Sequence, residues 1–430
     1  MSQLRGEGQA GVDPVAPLET STSASPAHRL GVAPLESTPA HGHGAPAATG
    51  AEELAAIAQE AALRSVRFVA WRDLDDPEAG GSELHAHRVA TLWAAAGIDV
   101  DFRTSAVPGG TRTVLRDGYR VTRRSGRYAV FPSAAAEGLG GGRHRGEGLV
   151  EVWNGMPFFS PLWYRGPRIT FLHHVHAEMW RMVLPDGLAR LGELVERRLA
   201  PPLYRRTRVV TLSQSAKDEI VSMLRLPAEG VTVAPPGVEP RFSPGGTRSA
   251  TPLVVAVGRL VPVKRFDLLI EALVRARTVV PDLEAVIVGE GYERGALEAL
   301  RRHHRAEGWL SLPGRASDDE LLDWYRQAWV VASTSQREGW GMTLTEAGAC
   351  GTPAVATDIA GHRDAVLDGR TGLLVDGTDA VAAAIAEVLS DAGLRARLGR
   401  GAIERSRWFT WQATARTTLE ALADECCRRS

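Results

Sequence analysis

The stretch Thr334–Thr357, TSQREGWGMTLTEAGACGTPAVAT, decides how the chain is read. It follows a short apolar run, Trp329 to Ala332, with the composition of a strand, and its second half, Thr343 to Ala349, has the Leu, Glu and Ala content of a helix. A strand, a glycine-punctuated turn and a helix start leave backbone N–H groups unpaired and pointing at an anionic ligand. Glu338 stands at the mouth of this turn and Glu346 eight residues on, inside the helix. Two carboxylates flanking a ring of N–H donors suit a ligand with hydroxyl groups at both ends and phosphate between them, which is the shape of a nucleotide-sugar.

Outward from this stretch the same pattern recurs. Leu253–Val257 reads as a strand, Gly258 as a turn, and Phe266, Leu269, Ile270, Leu273 and Val274 as the apolar side of a helix. Arg259 and Lys264 lie between them, five apart, and two fixed cations at one crevice neutralise a departing diphosphate as a metal would. Near the start of the ordered chain, Val66–Trp71, the pair Gly80 and Gly81, a helix from Ser82 and a strand at Ile98–Phe102 make a βαβ unit. The expected fold class is therefore α/β, with two Rossmann-like domains. VIVGEGYERG at 286–295 comes close to a dinucleotide fingerprint, but no carboxylate follows the next strand, Trp309–Leu312, to hold a ribose, so the hydride-transfer reading fails its own test.

The spacing of Glu338 and Glu346 around Gly339, Gly341 and the ACGTP turn, together with GRLVPVK at 258–264, resembles the donor signature of retaining glycosyltransferases, and more narrowly family 4 of the GT-B fold. The resemblance covers roughly residues 66–427. It implies that Glu338 faces the donor sugar, that Glu346 holds the ribose hydroxyls, and that Arg259 and Lys264 hold the diphosphate. It also implies that Gly80 and Gly81 let the backbone approach that diphosphate, and that Gly258, Gly289, Gly339, Gly341, Met342 and Thr343 line the donor. Arg315 would frame the base. A catalytic histidine is expected directly after the strand Ile169–Leu172, where His173 fits best and His174 is the neighbour that would replace it. Asn154, His174 and Ser213 are the expected acceptor contacts. The donor implied is a UDP- or GDP-sugar, used without a metal, and the acceptor hydroxyl belongs to a lipid, a glycan or a small molecule. Two rival readings are another GT-B enzyme, such as a nucleotide-sugar epimerase, and a noncatalytic nucleotide-sugar binder.

The 430 residues fit two domains with extras. The expected division is a disordered tail at 1–62, an acceptor domain at 63–248, a donor domain at 249–407, and a helix at 408–430 that returns to the first domain. Residues 1 to about 50 are rich in Pro, Ala, Ser, Gly and His without a hydrophobic period, and Glu52–Leu63 reads as a short Ala-rich helix. His41 and His43 fall far short of a metal site, as do the three cysteines Cys350, Cys426 and Cys427. Asp73 with Asp75 and Asp99 with Asp101 form D-x-D pairs, read as coincidental. No apolar run approaches the ~18 residues of a bilayer span, and no secretory pattern opens the chain, so a cytoplasmic protein is expected. The net charge of −1 hides an acidic excess in residues 1–62 and a mildly basic remainder. Nothing in it demands nucleic acid, since basic residues are not interleaved with stacking aromatics, and no nucleic-acid partner is expected. Leu188, Leu191, Leu194, Val195 and Leu199 read as one amphipathic stripe expected to cover a sheet. The neighbouring Arg205, Arg206 and Arg208 leave room for a peripheral contact with the inner face of a membrane. Tyr119–Val130 is expected as a hairpin and Glu137–Gly148 as a mobile loop.

Overall fold

A computed structural model describes residues 50–140 and 146–429. Eight strands form the first sheet: β1 Ser65–Val69, β2 Asp99–Thr104, β3 Thr113–Arg116, β4 Tyr119–Arg123, β5 Glu147–Val152, β6 Arg168–Phe171, β7 Arg208–Thr211 and β8 Val231–Val233. Their order is β3-β4-β2-β1-β5-β6-β7-β8, and every pairing is parallel except β3 with β4. Six strands form the second: β9 Leu253–Val257, β10 Glu284–Val288, β11 Leu310–Gly314, β12 Val330–Ser333, β13 Ala354–Thr357 and β14 Gly372–Val375. This sheet is wholly parallel, in the order β11-β10-β9-β12-β13-β14. Parallel strands need helical crossovers that cover a sheet on its two faces. The central strands of the second sheet, Leu253–Val257, Glu284–Val288, Val330–Ser333 and Ala354–Thr357, are accordingly mostly apolar, whereas the edge strand β3 of the first sheet has no buried residue. In the second sheet Val254 and Ala256 bury into one core beside Phe266, Leu269 and Ile270, while Val255 and Leu253 bury into another beside Leu344 and Ala347.

In each sheet the strand order reverses once, between β1 and β5 and between β9 and β12. Ligands in open parallel sheets bind outside the carboxyl ends of the strands at such a reversal. The loops after β1, β6, β9 and β12, which carry the expected site residues, all leave from carboxyl ends at or beside these two points.

The last helix, Trp411–Arg429, lies on the first domain: Ala415, Leu419, Leu422 and Cys426 are buried with Phe68 and Val89, and the indole N–H of Trp93 donates to the Ala415 carbonyl at 3.0 Å. The helix Gly50–Glu60 packs there too, burying Leu54 and Ala58. It therefore adds to the first core, although the composition places residues 50–62 in the tail. The rest of the expected tail, with His41 and His43, lies outside the described residues.

Three further expectations need correction. The hairpin is Thr113–Arg123, turning at Asp117 and Gly118, whose φ values of 44° and 88° are the pair a tight two-residue turn requires. Residues Val130–Gly140 form a helix instead of a strand and a loop, and of the expected loop 137–148 residues 141–145 lie outside the described residues. The stripe of leucines does not cover a sheet. Along the helix Asp186–Leu194 and the adjoining π-turn Val195–Leu199 it is Ala189, Gly192, Val195 and Glu196 that face inward, and Leu188, Leu191, Leu194 and Leu199 are exposed.

Candidate active site

The turn after β12 is held from within. Ser335 donates to a Glu338 oxygen at 2.8 Å, and Lys264, carried by the 3-10 turn Pro262–Lys264, donates to the same oxygen. Burial alone would raise the Glu338 carboxyl, but the charge of Lys264, then that of His362, and the hydrogen bonds outweigh it and hold the group at about 2. Glu338 is therefore a fixed anion, and Lys264 keeps further N–H groups for a ligand. Below the turn the His362 ring donates from Nδ1 to the Thr357 carbonyl at 2.9 Å, leaving Nε2 to accept from Ser333 at 3.2 Å.

Gly341, at φ 101°, precedes the helix Met342–Ala349, and a Cβ there would lie 3.1 Å from His362 Cδ2. On the inner face of this helix Glu346 accepts from the Tyr325 hydroxyl at 2.9 Å. Burial pushes Glu346 up to about 7, against the pull of Tyr325 and Arg241. The two carboxylates of one motif thus differ in acidity, because only Glu338 has a cation in contact. Gly289, at φ 148°, is required by backbone crowding: a Cβ would stand 1.9 Å from the Gly258 carbonyl oxygen.

The first domain closes on this turn. A Cβ on Gly339 would lie 2.6 Å from the His173 carbonyl oxygen, one on Gly81 would lie 3.2 Å from Met342 Sδ, and one on Gly80 would lie 3.5 Å from Arg259 Nε. Arg259 Nη1 reaches the Glu78 carbonyl at 3.4 Å and Arg315 Nη2 the Pro77 carbonyl at 3.0 Å. Gly80 starts the helix Gly81–Ala95, and its N–H donates to Glu83, which is also bound by Arg72 at 3.1 Å and by Ser82. The structure thus gathers Gly80, Gly81, Arg259, Lys264, Arg315, Glu338, Gly339, Gly341 and Met342 around one crevice. Thr343 follows Met342 in the same first turn, and Gly258 lies beneath, with Lys264 Cε 3.5 Å from the position of a Cβ.

The histidines divide unexpectedly. The His173 ring turns into the domain and shares a 3.1 Å hydrogen bond with His85, also against Phe171, so only its backbone faces the turn. Burial, then the neighbouring rings of His85 and His174, pushes its pKa well below the usual range. His174 is the ring in the field of the crevice. Burial is the main cause of its fall to about 4, with Arg337, Arg259 and Lys264 adding to it and Glu338 opposing. The imidazole is neutral at physiological pH.

Two of the expected acceptor contacts are otherwise engaged. Ser213 caps the helix Gln214–Leu224 by accepting from Ala216 N–H at 3.1 Å. Asn154 donates to Ser82 at 3.0 Å, against the start of the helix Gly81–Ala95. Asp73 and Asp75 are both bound by Arg116 and Arg123, so this D-x-D pair is an internal ion-pair cluster.

Several partners escape sequence reasoning. Arg337, next to Glu338, crosses to the Val175 carbonyl at 3.2 Å and to Glu219 at 2.7 Å. Asp364 accepts from the N–H groups of Gln214 and Ser215, at 3.2 and 3.3 Å, so the GHRD segment ties the two domains together. Glu196, turned inward by the π-turn, accepts from the N–H groups of His176 and Ala177 and from the Trp180 indole, fixing the histidine loop. Only Arg337 carries a local signal, its place beside Glu338; its own partners lie 162 and 118 positions away, those of Asp364 150 and 149, and those of Glu196 between 16 and 20.

Two Rossmann-like domains with a crevice lined by N–H groups, paired cations and carboxylates define a GT-B architecture. The family model "Glycosyl transferases group 1" matches residues 240–405, and "Glycosyltransferase Family 4" matches residues 79–242. A D-inositol 3-phosphate glycosyltransferase of Kribbella flavida is 31% identical over 412 residues, spanning 84% of this chain and 95% of that one. Among solved structures, the sucrose-phosphate synthase of Thermosynechococcus elongatus aligns with a TM-score of 0.70 at 21% identity, over 82% of this chain and 96% of that one. HepE of Anabaena, in complex with UDP-glucose, aligns with a TM-score of 0.65 at 17% identity, over 83% and 98%. The chain belongs to glycosyltransferase family 4 of the GT-B fold, and is a glycosyltransferase.

Proposed function

We propose that the protein transfers a sugar from a UDP-sugar, with retention of anomeric configuration, to a hydroxyl of a cyclitol or sugar phosphate. The observation that carries this reading is the Lys264–Glu338 pair beside Arg259, at the start of the helix Met342–Ala349 and opposite Gly80 and Gly81. The UDP-glucose complex of HepE supports the donor, and the name of the Kribbella enzyme supports the acceptor.

In this reading the domain at 249–407 holds the donor and that at 63–248 the acceptor. Glu346 accepts from the ribose hydroxyls, and Arg315 lies beside the base. Arg259, Lys264 and the N–H groups after Gly341 neutralise the diphosphate as the bond from C1 to the phosphate oxygen breaks. The acceptor oxygen forms its bond to C1 on the same face, and its proton passes to the departing phosphate oxygen. Glu338 and the neutral His174 orient the sugar. The cations supply the charge that a metal would otherwise provide, so turnover is expected to persist in EDTA. Tight contact between the domains excludes water and suppresses hydrolysis.

Thermal shift against UDP-, GDP-, ADP- and dTDP-sugars identifies the base, because a ligand of the native state raises the melting temperature. NMR of the product formed with inositol phosphate then reads the anomer. Stabilisation by UDP-sugars alone and a product with the donor's anomeric configuration are expected; a shift by none of them, or an inverted product, would overturn the proposal.

A further inference from the structure

We propose that the face presented by residues 186–204 docks on an anionic lipid bilayer. Among the described residues no helix is long and apolar enough to cross a membrane, so this contact is peripheral. Leu188, Leu191, Leu194, Leu199 and Leu203 are 55%, 51%, 44%, 53% and 36% exposed, within a single run of sixteen residues. Spacings of three, three, five and four would break a plain α-helical stripe at the five. The π-turn Val195–Leu199, closed by the Ala200 N–H to the Val195 carbonyl at 2.9 Å, takes in the extra residue. Val195, Glu196, Ala200 and Tyr204 then remain inward while the leucines remain outward.

Cations flank the leucines. A surface cavity of about 800 Å³ has Arg190, Arg197, Arg198, Arg205 and Arg225 in its walls and Leu194, Pro201 and Met223 among its apolar lining. None of these arginines makes an ion pair within the described residues, and the one carboxylate in the lining, Glu193, is bound by Arg181 at 2.7 Å. Apolar side chains beside unneutralised arginines match the layered chemistry of a bilayer surface, with acyl chains for the leucines and phosphate headgroups for the guanidinium groups. A second copy of the chain is a poor occupant, since a two-fold contact would press the arginines against their own copies.

The test is flotation of the full chain with vesicles of phosphatidylcholine alone and with phosphatidylglycerol added, at low and high salt. Expected is binding to the anionic vesicles only, weakened at high salt. It should fall at least tenfold in Leu188→Ser/Leu191→Ser and in Arg197→Glu/Arg198→Glu, with the melting temperature and UDP-sugar response of both variants unchanged. No flotation with either vesicle would overturn the proposal. So would binding that ignores both pairs of substitutions. A dimer in light scattering that the leucine substitutions dissolve would assign the face to a second copy, and capture of soluble polyphosphate without vesicles would assign it to a free anion.

Discussion

Replacing Lys264 with Met removes the one cation in contact with Glu338 while keeping the length of the side chain. A carboxyl held at about 2 against an ordinary 4.5 contributes about 3 kcal/mol to stability at neutral pH, because each tenfold change in acidity is worth about 1.4 kcal/mol. The folded value lies below the unfolded one, so this contribution is complete above about pH 4.5 and disappears as the pH falls through about 2. Without Lys264 the burial that raises Glu338 is unopposed by its nearest partner, and removing one member of such a pair costs about 3–5 kcal/mol. Urea melts at pH 7 should show Lys264→Met less stable than wild type by about 3 kcal/mol. The gap should narrow as the pH falls, first as the buried Glu338 of the variant takes up its proton and then, below about 4.5, as the wild type loses its ion pair, until it is gone near 2. Loss of one of two cations at the leaving diphosphate should lower kcat by about 10²–10³. Equal stability at pH 7, or a gap that does not change with pH, would refute the ion-pair argument. A wild-type kcat would refute the assignment to the diphosphate.

Glu346 is about half protonated at pH 7, and a carboxylate accepts from two hydroxyls better than its acid form, so calorimetry should show UDP affinity falling as pH drops from 8 to 6. Glu346→Gln should bind about 10- to 100-fold more weakly, with that pH dependence gone, since hydrogen bonds to a charged group are worth about 1.5–3 kcal/mol. His174→Ala should lose more than tenfold in kcat with little change in melting temperature, whereas His173→Ala, which opens a hole beside His85, should be destabilised by about 1–3 kcal/mol in denaturant melts; the reverse pattern would return the crevice role to His173. Gly339→Ala places a methyl against the His173 carbonyl, so small-angle scattering should report a more open molecule and product assays a larger share of hydrolysis over transfer.

The two α/β units, the glycine-punctuated turn after β12 and the closeness of Lys264 to Arg259 at the strand ends are legible in the order of residues alone. They are local properties: a strand period, a glycine and a helix start lie within a dozen residues, and backbone sterics then set the path of the turn between them. Nothing local tells which of His173 and His174 faces the crevice, because adjacent side chains on an extended segment point to opposite sides and only the packing of the helix Gly81–Ala95, with His85, decides which side is interior. Nor does periodicity tell which stripe of 186–204 is buried: Gly192 admits the close approach of Trp180, Ala189 is buried on the same helix, and the leucines are left outside. The difference in acidity between Glu338 and Glu346 likewise comes from tertiary contacts. Lys264 is 74 positions from Glu338 and Tyr325 is 21 from Glu346, so both environments exist only once the strands have placed their ends together.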